Sequence, residues 1–323
     1  MARRGSARSI FFALLAAGGA GAAQLGLGYG LGIISWEPTQ SDATATVGGP
    51  TAAVIAAGSW SSGLTWATWV AAVSVVVGAV VGDRLRDSSR SGPFARTAWR
   101  LVLALAATLG SLVVIPLMGV PVSQEHIGGN YAPHLLVGIY AASGAVIGLL
   151  VAMVAMAARA VAANVFATAA WLWILAVIAI ADGNASGRGH GYAQLGVWKF
   201  TDAGPIWHSY YIPGALLILG SALLVGGVAA FAAAGRGDGR FGVAISGAAG
   251  PLLVLAAYLL ARPDSGGAPP EQVSAYYTAP YMVVAGLVGS VLVAAVGGGF
   301  TRPRARPDDM ADTRRHFEAD IAS

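Results

Sequence analysis

"HLLVGIYAASGAVIGLLVAMVAMAA", residues 134–158, runs for 25 residues without an Asp, Glu, Lys or Arg. A helix rises 1.5 Å per residue, so about 20 residues cross a hydrocarbon layer about 30 Å thick. The stretch therefore reads as a membrane span. A barrel strand needs only about 10 residues and alternates apolar with polar side chains; this run does neither. Comparable runs lie at 9–34, 60–82, 99–120, 161–181, 209–233, 241–261 and 281–300. The composition agrees: 56% of residues are hydrophobic, 11% are charged, and mean hydropathy is +0.67, far from a soluble domain. These features predict an all-α, polytopic helical bundle of about eight spans over residues 1–301, followed by a tail at 302–323.

Arginine sets the threading. With the N-terminus inside, sixteen of the nineteen Lys and Arg residues fall in inner stretches and three, Arg188, Lys199 and Arg262, in outer loops. The positive-inside rule then places both termini in the cytoplasm of a plasma-membrane protein. It also accounts for the pI of 9.6 without nucleic acid, because the arginines serve topology and anionic headgroups. The first run opens like a secretory signal, with a basic stretch before an apolar one, but its extension to Ile34 exceeds the 7 to 15 residues of a signal core. It is expected to remain as a span. The absence of cysteine excludes disulfides, thiolate metal sites and cysteine nucleophiles.

Inside the bilayer, ionisable residues mark ion or proton pathways, and none sits mid-span here. The deep polar groups are mild: Thr108, Ser111, Tyr140, Ser143, Asn164, Ser221, Ser246 and Ser290, expected to form helix-to-helix hydrogen bonds of about 0.6 kcal/mol each. Small residues recur every four positions: Gly18, Ala22, Gly26 and Gly30; Ser74, Gly78 and Gly82; Gly144, Gly148 and Ala152; Gly286, Ser290, Ala294 and Gly298. Such seams let helix backbones approach closely. "YAPHLLVGIYAASGAVIGLL" from Tyr131 and "TAPYMVVAGLVGSVLVAAVGG" from Thr278 share an Ala-Pro entry and a small-residue pattern, and "YIPGALLILGSALLVGG" from Tyr211 starts similarly. Proline suits a first helical turn. A shift of four spans would make this a parallel four-plus-four repeat. Read as one helix, residues 51–82 would overshoot the bilayer, so a bend or break is expected at Gly58, Ser59, Ser61, Ser62 and Gly63, with 52–57 at the outer interface.

Glu125, His126, His134 and Glu271 form an outer-face polar cluster in sequence, with His190, His208, Asp182 and Asp202 on the same side. Zinc would accept such ligands. However, His126 and His134 are eight apart across a Gly-Gly and a Pro, which lacks the spacing of a helical His-x-x-x-His pair. Wet interfacial loops explain these residues, alongside Trp36, Trp60, Trp207, Tyr210 and Tyr281. Hence no catalytic, metal or cofactor site is expected, and His126 and His134 should share no ligand point with each other or with Glu271. No phosphate loop or dinucleotide fingerprint follows a strand-like run.

Two inner features remain. The stretch 83–100, "DRLRDSSRSGPFARTAWR", is an arginine-rich loop able to meet a protein partner. The tail begins with Arg302, Arg304 and Arg306, suited to anionic lipid, and continues as a short amphipathic or disordered segment. The expectation is a non-catalytic membrane subunit or scaffold docking partners at its inner face. The alternative is a transporter or permease component for a weakly polar or lipid-like solute without ion coupling, and third an outer-face metal-dependent enzyme.

Overall fold

A computed structural model of the chain describes residues 2–36, 52–85, 92–123, 132–187, 192–202, 204, 210–263 and 267–297. The architecture is helical: α1 (Ala2–Gly30), α2 (Ala52–Arg84), α3 (Pro93–Ser111), α4 (Val114–Val122), α5 (Pro133–Ala157), α6 (Arg159–Ser186), α7 (Ile212–Gly235), α8 (Arg240–Ser246), α9 (Ala249–Leu260) and α10 (Pro270–Gly297). Two pairs, α3 with α4 and α8 with α9, form single spans with a break. Among the described residues eight helices are thus long and apolar enough to cross a membrane, the architecture of a multi-pass membrane protein. Arg8, Arg84, Arg96, Arg100, Arg159, Arg236 and Arg240 gather at one end, while Arg262, just past α9, lies at the other.

Burial in this bundle follows side-chain size. On α5 the inward row is Val137, Ala141, Gly144, Ala145, Gly148 and Ala152, while Leu135, Ile139, Val146 and Leu150 point outward and are more than half exposed. In water such a surface would aggregate. In lipid it costs nothing, and small inward residues let backbones touch, which is where association energy comes from once the hydrophobic drive between helices is gone. The seams expected on α2 and α5 are real: Gly78 and Gly82 lie against the backbone and side chains of α1 at Ser9, Ala13 and Ala17, and Gly144 and Gly148 against the carbonyls of Thr68 and Ala72. On α10, Gly286 meets Gly247, Gly289 meets Leu223, and Ser290 bonds to α8. The α1 row holds only in part. Gly18 approaches Gly110, but Gly26 and Gly30 have nothing within 4 Å, and Gly21, off that row, meets Val114.

The most extensive packing pairs α2 with α5 and α7 with α10, that is, second span with fourth and sixth with eighth. At the centre stands α2, buried along nearly its whole apolar length.

Here the expected break at Gly58 to Gly63 is corrected: α2 is uninterrupted over 33 residues, about 50 Å. The serines do not open the helix. Ser61 Oγ donates back to the carbonyls of Ala57 and Gly58, and Thr65 Oγ1 to Ser61 at 2.7 Å. The glycines make room for neighbours, Gly58 for Tyr192 and Pro269 and Gly63 for the ring of Trp36. A segment that overshoots the bilayer stays helical because protein surrounds it. Trp36 is likewise no free interfacial anchor: it is buried, donates to Tyr29 Oη at 3.0 Å and lies 5.3 Å from Trp60.

A second correction concerns the last span. α10 starts at Pro270 rather than near Tyr281, so Pro280 lies inside the helix instead of opening it. The polar stretch "EQVSAYYT" reads as loop, yet Glu271, Gln272, Ser274 and Thr278 are buried. Gln272 Nε2 donates to Ser61 Oγ at 2.9 Å, and Thr278 Oγ1 back-bonds to Ser274 at 2.7 Å.

The broken spans have a common cause. A proline lacks the N–H for the i−4 carbonyl and its ring clashes with that carbonyl. Pro116 stands four residues after Leu112, and Pro251 four after Gly247; these are the two break points. Freed backbone groups in a bilayer must find partners inside the protein. Around the second break they do: Ser290 Oγ donates to Ala244 O at 2.6 Å and accepts from Gly247 N at 3.2 Å, and Asn164 Oδ1 accepts from Gly250 N at 2.8 Å. The expected helix-to-helix bonding thus holds for Asn164 and Ser290. It is corrected for Thr108, Ser111, Ser221 and Ser246, whose hydroxyls bond to carbonyls of their own helices. Gln24 supplies a further tie, donating to Ser74 Oγ at 3.3 Å and accepting from Trp173 Nε1 at 3.2 Å.

Candidate functional site

At the end opposite the arginines, the segment 192–202 is folded into the bundle. Trp66 Nε1 and Ser62 Oγ both donate to the carbonyl of Ala193 at 2.9 Å, Tyr258 Oη donates to Leu195 O at 2.6 Å, and Ala193 N donates to Ile33 O at 2.9 Å. Within the segment Tyr192, Ala193 and Leu195 are buried. Trp198 Nε1 reaches the Asp182 carboxylate at 3.0 Å. The segment forms a cap tied to α2 and α9 through its backbone carbonyls.

Of the polar cluster read from sequence, His134 and Glu271 are among the described residues. His134 sits exposed in the first turn of α5, its Cβ 3.7 Å from the Cβ that Gly119 lacks. Glu271 is buried in the first turn of α10, beside the cap. α5 packs chiefly on α2 and α10 chiefly on α7, and α9 touches both. Glu125, His126, His190 and His208 lie outside the described residues, as do Arg302, Arg304 and Arg306. Among the described residues no group of three His, Asp or Glu side chains gathers as a metal ion would require.

Two cavities differ sharply. One, at mid-depth between α6, α7, α9 and α10, has a volume of about 20 Å³ and is lined by Leu172, Leu175, Ile218 and Met282 together with Thr168 and Ser221. That is room for a single water. The other opens at the arginine-bearing end and measures about 860 Å³. Arg84 ends α2, Arg100 stands in α3, Arg159 starts α6 and Arg236 follows α7, and all four line it. Asp83 is the carboxylate in that wall and has contacts of its own. The deeper wall is apolar: Val80, Ala155, Met156, Ala162 and Phe166. From Arg159 to Phe166 the cleft follows α6 for seven residues, about 10 Å.

The cleft exists because the two halves of the chain diverge there. α3 packs on α1, α2 and α5 but scarcely touches α6 or α7, and the α5–α6 connection is the single extended residue Ala158. Arg236 is held to Asp238 at 3.4 Å, an exposed pair of little energetic weight. Among the described residues Arg84, Arg100 and Arg159 have no ion-pair partner. Sequence reading assigns these arginines to topology and to anionic headgroups at the membrane surface. Their position at the ends of spans is legible, whereas their convergence depends on which helices fail to touch. No family model, curated protein or solved structure matches this chain.

Proposed function

We propose that this chain is a non-catalytic subunit or scaffold of the plasma membrane, with both termini and the arginine-bearing end in the cytoplasm, docking partners at that face. The observation that carries the reading is the contrast in cavities, about 860 Å³ at the arginine end against about 20 Å³ at mid-depth. Backbone-to-backbone seams around α2 support it, since a core packed on glycine is built to hold a shape. Orientation follows from the arginine bias. The docking surface is the start of α3, where Phe94 is 87% exposed and Arg96 is exposed beside it, within the loop read from sequence as a partner site. A parallel four-plus-four arrangement is supported by the recurrence of second-with-fourth packing as sixth-with-eighth and by a proline break in both the third and seventh spans. The test is photo-crosslinking from Phe94 and Arg96 in the native host, followed by purification in mild detergent and mass spectrometry. A protein captured from these positions and not from Ser186, at the opposite end, is the expected outcome; no capture from either position contradicts it.

The alternative, a permease component, gains from one observation: the cleft lies where the two halves part, while at the other end the segment 192–202 is tied into the bundle. A cysteine placed at Thr168, beside the mid-depth cavity, separates the two. A scaffold keeps it unreactive to a soluble maleimide from both sides; a carrier exposes it.

A further inference from the structure

We infer that the cleft lined by Arg84, Arg100, Arg159 and Arg236 is a binding site for the phosphate headgroup of an anionic phospholipid. This deepens the inner-face reading and rests on it only for the leaflet concerned. The positive-inside rule explains why arginines lie at this end. It does not explain why four of them, from four separate stretches of the chain, border one cavity. Guanidinium groups around a shared space repel one another, and among the described residues lining it Asp83 is the only carboxylate. An anion entering the cleft reverses that balance.

The chemistry of the wall narrows the anion. Arginine presents a planar fork of donors that meets phosphate oxygens two at a time, forming short charge-assisted hydrogen bonds. About 860 Å³ falls within the usual span of about 300–1,000 Å³ for sites that enclose small molecules. A fully hydrated, purely ionic ligand would gain nothing from Val80, Ala155, Met156 and Phe166 deeper in the cleft. A phospholipid presents both parts, a phosphate at the depth of the arginines and apolar chain or glycerol below it. Basic pockets between spans near the cytoplasmic leaflet are suited to such headgroups. Phosphate chemistry is shared by soluble phosphate esters, so the test has an arm for each.

The purified full-length chain is delipidated in detergent and titrated with phosphatidylglycerol, phosphatidylcholine, glycerol phosphate and inorganic phosphate, with retained adducts counted by native mass spectrometry. Wild type should retain phosphatidylglycerol in preference to phosphatidylcholine, with millimolar glycerol phosphate or inorganic phosphate failing to displace it. Arg100→Gln with Arg159→Gln should weaken retention by about tenfold or more. Arg96→Gln, which removes an arginine from the same end but outside the cleft, should leave it unchanged. Should the double variant misfold, Arg159→Lys keeps the charge and loses the fork, and its retention should still fall. Equal retention of both lipids, an equal drop in Arg96→Gln, or displacement by the soluble phosphates would overturn the assignment. Because the assay uses purified protein, failure to capture a partner in the host leaves its result unaffected.

Discussion

Gly144 and Gly26 are both helical glycines, and replacing each by alanine separates close packing from helix propensity. A Cβ at Gly144 would land on the carbonyl of Thr68, within 2.8 Å of its Cα and carbonyl carbon. Backbone cannot swing aside as a side chain tip can, so α5 must move off α2 along one of the two largest helix contacts of the bundle. Overpacking of this kind costs about 1–3 kcal/mol. At Gly26 nothing lies within 4 Å, leaving only the gain of about 0.5–1 kcal/mol that alanine brings to a helix interior. That gain is common to both variants and cancels between them. The difference between Gly144→Ala and Gly26→Ala should therefore be about 1–3 kcal/mol, or on the order of 5 °C at a few degrees per kcal/mol. Thermal unfolding in detergent, followed by the loss of the monodisperse peak on size exclusion, measures it. Equal melting of the two variants would refute the claim that backbone contact at Thr68 and Ala72 holds the bundle together.

Asn164→Ala should destabilise by about 1–3 kcal/mol because it strands the buried amide of Gly250, whereas Ser221→Ala, whose hydroxyl serves only its own helix, should stay within about 0.5 kcal/mol of wild type; paired melting curves decide this. Tyr258→Phe removes the hydroxyl bonded to Leu195 and should raise the rate of protease cleavage within residues 192–202 while leaving the rest of the chain resistant. Unchanged cleavage would mean that the cap is held by packing alone. Pro251→Ala should let the seventh span close toward a continuous helix, seen as a changed distance between spin labels on Arg240 and Leu260, the two ends of α8 and α9.

The spans were legible because a run such as 134–158 has no soluble reading, and the short link between the fourth and fifth follows from one arginine between two such runs. What escaped the sequence depended on neighbours. Gly58 and Gly63 look like a weak point in isolation, and only the rings of Trp36 and Tyr192 filling the space beside them make them contact sites. The polar start of α10 reads as loop because its partners, Ser61 among them, lie more than 200 residues away. Pro116 and Pro251 sit within unbroken apolar runs, so hydropathy passes over the breaks they cause. In the outer-face cluster, His134 was placed correctly at the first turn of the fourth span, and Glu271 was not: a carboxylate expected in a wet loop is buried. The cleft was invisible for the same reason, since a gap between α3 and α6 leaves no mark on either sequence.

A chain without cysteine permits the most direct test of the threading on which the inner-face reading depends. Single cysteines at Asp238, on the arginine-bearing side, and at Ser186, on the other, together with Ser88, Gly128 and Ser265 in the stretches of sequence between spans, are treated in intact cells with a membrane-impermeant maleimide. Ser186→Cys, Gly128→Cys and Ser265→Cys should label at once, and Ser88→Cys and Asp238→Cys only after the membrane is opened. Immediate labelling of Asp238→Cys, with protection of Ser186→Cys and Ser265→Cys, would turn the molecule over and put the arginine-lined cleft outside the cell.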